Sequence, residues 1–144
     1  IGRNLERADM TTRVVDIGAM STQGTEDPGN LDVHVWTSML KALNAYQMYR
    51  KDMQPGVHSA EVVSYLFQNT YLPRSVAHCL DQMEECIGNL PRHKDTLKPI
   101  RDTRRRIDRI QADKLDAVKL HHEVDRLQVG ISAVHKQIRK TWFS

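Results

Sequence analysis

Apolar residues return along this chain at alternating steps of four and three, the spacing of helices that each bury one face. The first stripe comprises Ile1, Leu5, Ala8, Thr12, Val15 and Ala19. A later stripe, similar to a coiled-coil seam, comprises Leu120, Val124, Leu127, Ile131, Val134 and Ile138. No segment alternates polar and apolar residues as a strand would. The pattern therefore predicts an all-α protein.

Turn-forming residues separate the helical stretches. The segment 21–30 (STQGTEDPGN) is predicted to be a loop, and Asn30 is expected to cap the next helix. Gln54-Pro55-Gly56 breaks the chain again, and Pro73 is expected at the first position of a helix. No glycine or proline marks residues 111–114, so a break there is left open.

The predicted fold is an up-and-down helical bundle of five to six helices, because short connections favour antiparallel neighbours. The helices are expected at about residues 1–20, 30–50, 59–68, 73–90, 96–110 and 115–142. A chain of 144 residues is long enough for one domain with its own core, so residues 1–144 are expected to form a single helical domain.

Composition bears on whether the protein enters a membrane and on its cellular compartment. The chain has no apolar run of the roughly 18 residues that a transmembrane helix needs, so no membrane partner is expected. Cys79 and Cys86 lie seven positions apart, about 10 Å along a helix, which is too far for a disulfide. Free thiols fit a cytoplasmic location. Helical periodicity is already under way at Ile1, which suggests the ordered or processed part of a longer protein.

Charge is distributed unevenly. Residues 1–90 contain 7 Lys/Arg and 11 Asp/Glu, whereas residues 91–144 contain 14 and 7. Two interpretations are open. A basic layer packs beside an acidic layer of the same bundle, or the basic part meets an acidic partner.

Motifs for known chemistry are absent from the sequence. It has no Glu-x-x-His, no His-Glu-x-x-His, no Gly-x-Ser-x-Gly and no phosphate-binding or dinucleotide loop. We therefore predict no metal and no cofactor, and catalytic residues remain unassigned. The arginines between Arg101 and Arg109 are interrupted by Asp102 and Asp108 and lack a stacking aromatic, so a solvated face with Asp–Arg pairs is favoured over nucleic-acid binding.

Two segments remain as a candidate polar site. In the first, Glu6 follows Arg3 by three positions and Asp9 precedes Arg13 by four, with Arg7 between them. These charges are either a ladder of surface ion pairs or an interhelical network that becomes partly buried at the edge of the apolar stripe.

The second segment is Pro73-Arg74-Ser75. With Pro73 at the first helical position, Arg74 and Ser75 would stand beside free backbone N–H groups and could hold an anion. That anion is expected to be a carboxylate of the chain itself, Glu6 or Asp9. The complete candidate site is Arg3, Glu6, Arg7, Asp9, Arg13, Arg74 and Ser75.

At these two segments the sequence resembles the alpha-E domain family, bacterial helical proteins named for a Glu-Arg motif. The matching stretches are 2–13 (GRNLERADMTTR) and 72–76 (LPRSV), with Val15-Asp16, Trp36, Met39-Leu40, Tyr49-Arg50, 62–66 and Cys79-Leu80 in the same order. The resemblance is to the C-terminal half of the longer family chain. It implies that a missing N-terminal half, or a second copy of this chain, covers an apolar face.

The resemblance also implies a biochemical setting. Members of the family are encoded beside, or fused to, ATP-grasp-type amide ligases and transglutaminase-like peptidases. We therefore expect a helical interaction or scaffold module that serves a bacterial peptide- or amide-bond-forming system. The alternative hypothesis is an enzyme, or a catalytic half-domain, in which Glu6 is an acid/base and Arg7 and Arg74 hold a carboxylate or phosphate. This alternative requires a cavity at Glu6.

Overall fold

The computed structural model describes residues 1–22, 28–53 and 56–143, and the side chains of all of these except 28–32. Every regular element in these ranges is helical, which confirms the predicted all-α bundle. The helices are α1 (Gly2–Thr22), α2 (Pro28–Ala42), α3 (Tyr46–Asp52), α4 (Ser59–Gln68), α5 (Val76–Gly88), α6 (Lys94–Arg109) and α7 (Ala117–Trp142). A 3₁₀ turn, Ala112–Lys114, separates α6 from α7, which settles the break that the sequence left open.

The described residues hold seven α-helices rather than five to six, because the helix expected from Asn30 to Arg50 is divided into α2 and α3. α2 ends in a Schellman motif, in which the Ala45 amide donates to the Leu40 carbonyl oxygen at 2.8 Å. Asn44 occupies the left-handed position of this motif with φ of 54°. Asparagine tolerates that region better than most residues, so it replaces the glycine that usually signals a helix end.

The predicted start of α2 was wrong. α2 begins at Pro28, so Asn30 lies inside the helix instead of capping it. Proline suits the first helical turn because the amide hydrogen that it lacks would have no intrahelical partner there. At the other side of the predicted loop, α1 continues to Thr22. The remainder of that loop, residues 23–27, and residues 54–55 of the second predicted break lie outside the described residues.

The core forms where the helices meet. α1 packs against α2, α5 and α7, and α6 packs against α5 and α7. The largest fully buried side chains include Trp36, Tyr49, Phe67, Leu80, Met83, Ile100 and Ile107. The later positions of the first predicted stripe are buried, whereas Ile1 is exposed and Leu5 is half-buried.

Two glycines allow close approach between helices. A Cβ atom at Gly130 of α7 would lie 2.4 Å from Oγ1 of Thr103 on α6. A Cβ atom at Gly18 of α1 would lie 2.9 Å from the ring of Trp36 on α2. Both distances are shorter than side-chain contacts allow, so these helix pairs pack as they do only because the glycines have no side chain.

Part of the charge asymmetry is compensated within the bundle. Arg101 and Arg104 of α6 form ion pairs of 2.8 Å with Glu84 and Asp81 of α5, respectively. These pairs favour the first interpretation, in which a basic layer packs beside an acidic layer of the same bundle. Arg104 is only 19% exposed, so its pairing also compensates for the loss of solvent around its guanidinium group.

Candidate functional site

The candidate residues lie on α1 and on the loop that precedes α5. Ser75 is the N-cap of α5, and its Oγ accepts a hydrogen bond of 3.1 Å from the His78 amide and donates one to the Asn69 carbonyl oxygen. α5 therefore begins at Val76, and the prediction that Pro73 is its first residue was wrong. The Ser75 hydroxyl is buried and fully engaged, so it has no role left in holding an anion.

The loop that precedes α5 contacts α1 through Arg74, the residue before Ser75. The Thr11 hydroxyl donates to the Arg74 carbonyl oxygen at 2.7 Å, and the Arg74 guanidinium group lies 3.9 Å from the sulfur of Met10. The structure thus brings the two predicted segments together. The contact of the Arg74 side chain is a thioether, so the expectation that Glu6 or Asp9 supplies its anion was wrong.

The charges along α1 do not form the interhelical network. The predicted Asp9–Arg13 pair is present, with its atoms 2.8 Å apart, but both side chains are exposed and such a pair contributes only a few tenths of a kcal/mol. Arg3 and Glu6 are exposed, and neither forms an ion pair within the described residues. Glu6 is two positions from buried Ala8, about 160° around the helix axis, which turns it away from the core.

Arg7 is half-buried and, with Arg74, lies close to the thiol of Cys79. Burial raises the pKa of Cys79 to about 11, because desolvation of the thiolate outweighs the opposing effect of the two guanidinium groups. The thiol lies 3.4 Å from the Pro73 carbonyl oxygen, to which it donates. Cys79 is therefore a structural cysteine, and Cys86 is an exposed free thiol.

One polar contact between helices was not predicted. His121 of α7 places Nδ1 2.8 Å from the Asp16 carboxylate of α1, and its Nε2 lies 3.5 Å from Asp125. The hydrogen bond and charge of Asp16 raise the pKa of His121 above its ordinary value. Only the His121–Asp125 contact had a local signal, since Asp16 is 105 positions away in sequence. Within the described ranges no group of three or more His, Cys, Asp and Glu could hold a metal ion.

The side of α1 that faces away from the core carries an exposed stripe that we term the outer face. Its members follow at steps of three and four: Arg3, Glu6, Met10, Arg13, Ile17 and Met20. The apolar members are each more than half exposed, with Met10 51%, Ile17 58% and Met20 53% accessible. An aligned stripe of this kind is typical of a helix that binds in a partner's groove.

Two open cavities have volumes typical of ligand sites, about 590 and 510 Å³. The first is lined by residues of α4 and of the link between α6 and α7. The second lies where the start of α6 meets the end of α7. Neither is lined by Glu6, Arg7 or Arg74, so neither provides the opening that the enzyme hypothesis requires.

The arginines of α6 mostly have acidic partners. Besides the pairs with α5, Arg105 contacts Asp102, and Arg106 lies 3.9 Å from Glu123 of α7. A cluster neutralised in this way fits the predicted solvated face better than a nucleic-acid surface. None of the helices in the described ranges combines the length and the apolar character needed to cross a membrane.

The fold and this surface together define an all-α helical domain whose one Glu-Arg sequence, Glu6-Arg7, lies on its first helix. The sequence model of one family, Alpha-E, described as "a predicted alpha-helical domain with a conserved ER motif", matches residues 1–143. The chain belongs to the Alpha-E family. No curated protein and no solved structure matches the chain.

Proposed function

We propose that this chain is a helical interaction module and that the outer face of α1 docks on an ATP-grasp-type amide ligase. The module would serve a bacterial peptide- or amide-bond-forming system, with a transglutaminase-like peptidase as the alternative partner. Its two free thiols support a reducing, cytoplasmic setting for this activity.

The observation that carries the proposal is the combination of an exposed apolar stripe with an unpaired Glu6. Met10, Ile17 and Met20 are each more than half exposed on one side of α1. Burying an apolar side chain of this size contributes about 1.5–3 kcal/mol to association. Glu6 lies in the same stripe without an ion pair in the described part of the chain, so its carboxylate is available to a cationic group of a partner.

The spacing of the stripe supports a particular geometry of binding. Residues at steps of three, four and seven along a helix are those that enter a hydrophobic groove when an amphipathic helix is recognised. The opposite side of α1 is already packed against α2, α5 and α7, so the helix is held rigidly while it presents these anchors. The identity of the partner rests on the resemblance to proteins encoded beside such ligases.

The test is reconstitution with the ATP-grasp-type ligase encoded nearest to this chain. Affinity is measured by titration calorimetry for the parent and for Ile17→Glu and Glu6→Lys. Val129→Glu is the matched control, because Val129 is 70% exposed on α7 and does not belong to the outer face. We expect the two outer-face variants to weaken binding about tenfold or more and the control to leave it unchanged.

Two results would overturn the proposal. One is the absence of a complex with the ligase, and a complex with the transglutaminase-like protein alone would then identify the alternative partner. The other is that the parent and the outer-face variants bind the ligase with equal affinity. Light scattering is run in parallel, because self-association lost specifically in Ile17→Glu would show that a second copy occupies this face instead.

A further inference from the structure

The second cavity, of about 510 Å³, has an unusual charge for this bundle. Three cationic side chains line it, Arg92, Lys94 and Lys140, against a single carboxylate, Asp95. Arg92 and Lys94 form no ion pair within the described residues, although four arginines further along α6 do. Acidic residues neutralise the arginines further along α6, whereas the charges of Arg92 and Lys94 remain available to a ligand of the cavity.

The walls of the cavity are fixed by hydrogen bonds. The indole N–H of Trp142 donates to the Pro91 carbonyl oxygen at 3.1 Å, which fastens the end of α7 to the turn that carries Arg92. Gln137 donates to the Thr141 hydroxyl at 3.2 Å, and this hydroxyl lies 3.3 Å from that of buried Thr96. These hydrogen bonds hold the polar wall of the cavity in place, and the exposed side chains of Arg92, Lys94 and Lys140 border it.

Two residues at the cavity have a defined geometry. His93 lines the cavity and its Nδ1 lies 2.7 Å from the Leu90 carbonyl oxygen, which fixes the orientation of the ring. Arg92 has a φ of 59°, in the left-handed region that side-chain-bearing residues rarely adopt. Such strained positions concentrate at functional sites, where the surrounding structure holds a side chain in a required place.

We propose that this cavity binds a small ligand carrying two or more anionic groups, either carboxylates or phosphates. Arg92 and Lys94 line the same cavity and can contact several negatively charged oxygens at once, and each such charge-assisted hydrogen bond is about twice as strong as a neutral one. The volume falls within the range of small-molecule sites, roughly 300–1,000 Å³. This inference does not depend on the docking of α1, since the cavity and the outer face share no residue.

Titration with two probes distinguishes the chemical sources of the anion. Tri-glutamate supplies carboxylates and inorganic pyrophosphate supplies phosphates, and each is added to the full chain at about 0.05 M salt, where screening is weak. We expect saturable binding of at least one probe, weakened about tenfold in Arg92→Gln and in Lys94→Gln. Lys119→Gln is the control, because it removes the same charge from an exposed position on α7 outside the cavity.

The two tryptophans provide an internal check on where the probe binds. In a nitrogen–proton correlation spectrum, the indole signal of Trp142 should shift on binding because Trp142 is fastened beside the cavity. The signal of Trp36 should not shift, because this side chain is 1% exposed in the core. The proposal is overturned if neither probe saturates, if Lys119→Gln weakens binding as much as Arg92→Gln, or if Trp142 does not respond.

Discussion

Replacing Gly130 by alanine tests how closely α6 and α7 approach each other. In an unconstrained helix interior this change stabilises by about 1 kcal/mol, because alanine restricts the unfolded chain and favours the helix. Here the new methyl group would lie 2.4 Å from Oγ1 of Thr103 and 3.2 Å from its Cγ2. Thr103 is 4% exposed, and its hydroxyl donates to the Pro99 carbonyl oxygen at 2.8 Å.

The expected magnitude follows from the two ways of relieving this clash. Thr103 rotates and loses the buried hydrogen bond to Pro99, or the helices separate and lose packing. Either route costs about 2–3 kcal/mol. After the offset of about 1 kcal/mol, Gly130→Ala should lower the free energy of unfolding by ~1–2 kcal/mol. The corresponding decrease in Tm is roughly 3–8 °C.

The assay is urea unfolding followed by far-ultraviolet circular dichroism. Gly88→Ala is the matched control, because nothing lies within 4 Å of a Cβ at that position, and it should leave the midpoint unchanged or slightly higher. In a Thr103→Ala background the two closest atoms, Oγ1 and Cγ2, are gone and only the Cβ atom at 3.3 Å remains, so Gly130→Ala should become nearly neutral or stabilising. A single variant Gly130→Ala that unfolds at the parent's urea concentration or above would refute the reasoning.

Three further predictions concern the candidate site and its surroundings. Ser75→Ala should lower the free energy of unfolding by about 1–3 kcal/mol, because α5 loses its cap; an unchanged urea midpoint would contradict this. With Ellman's reagent at pH 8, exposed Cys86 should react rapidly and Cys79 only on unfolding, so a fast phase that persists in Cys86→Ser would disprove the assignment. The raised pKa of His121 means that its pairing stabilises fully below about pH 6.5 and is lost as pH rises through the folded pKa, so Asp16→Asn should lower Tm more at pH 5.5 than at pH 8.5. An equal decrease at both values would be inconsistent with the pair.

Most of the fold could be predicted because the spacing of apolar residues shows which face of each helix is buried. Val124, Leu127 and Val134 of the coiled-coil-like stripe are fully buried. The divided second helix was missed because its break lies at Asn44, where asparagine occupies the left-handed position that a glycine more often marks. Pro28 did carry a signal, but the neighbouring turn residues favoured a loop over a helix start.

The candidate site was predicted less completely. Sequence matching placed the segments around Glu6 and Arg74 in one site, and the contact of Thr11 with Arg74 joins them. The direction in which Glu6 points depends on its angular position around the axis of α1. The prediction placed every nearby charge at the edge of the apolar stripe, whereas this angular position turns Glu6 away from the core. The cavity beside Arg92 assembles from segments about 45 residues apart, so no local pattern could indicate it.

The packing of α1 against α7 has a consequence for biosynthesis. Some 95 residues separate Thr22 from Ala117, so at roughly 5–20 residues per second the ribosome needs about 5–20 s to supply the helix that completes the environment of α1. During this interval α1 can pack only against helices that have already been synthesised, first α2 and later α4 and α5. The nascent chain therefore passes through a stage in which α1 awaits a distant neighbour, and its incompletely covered apolar face is then accessible to chaperones.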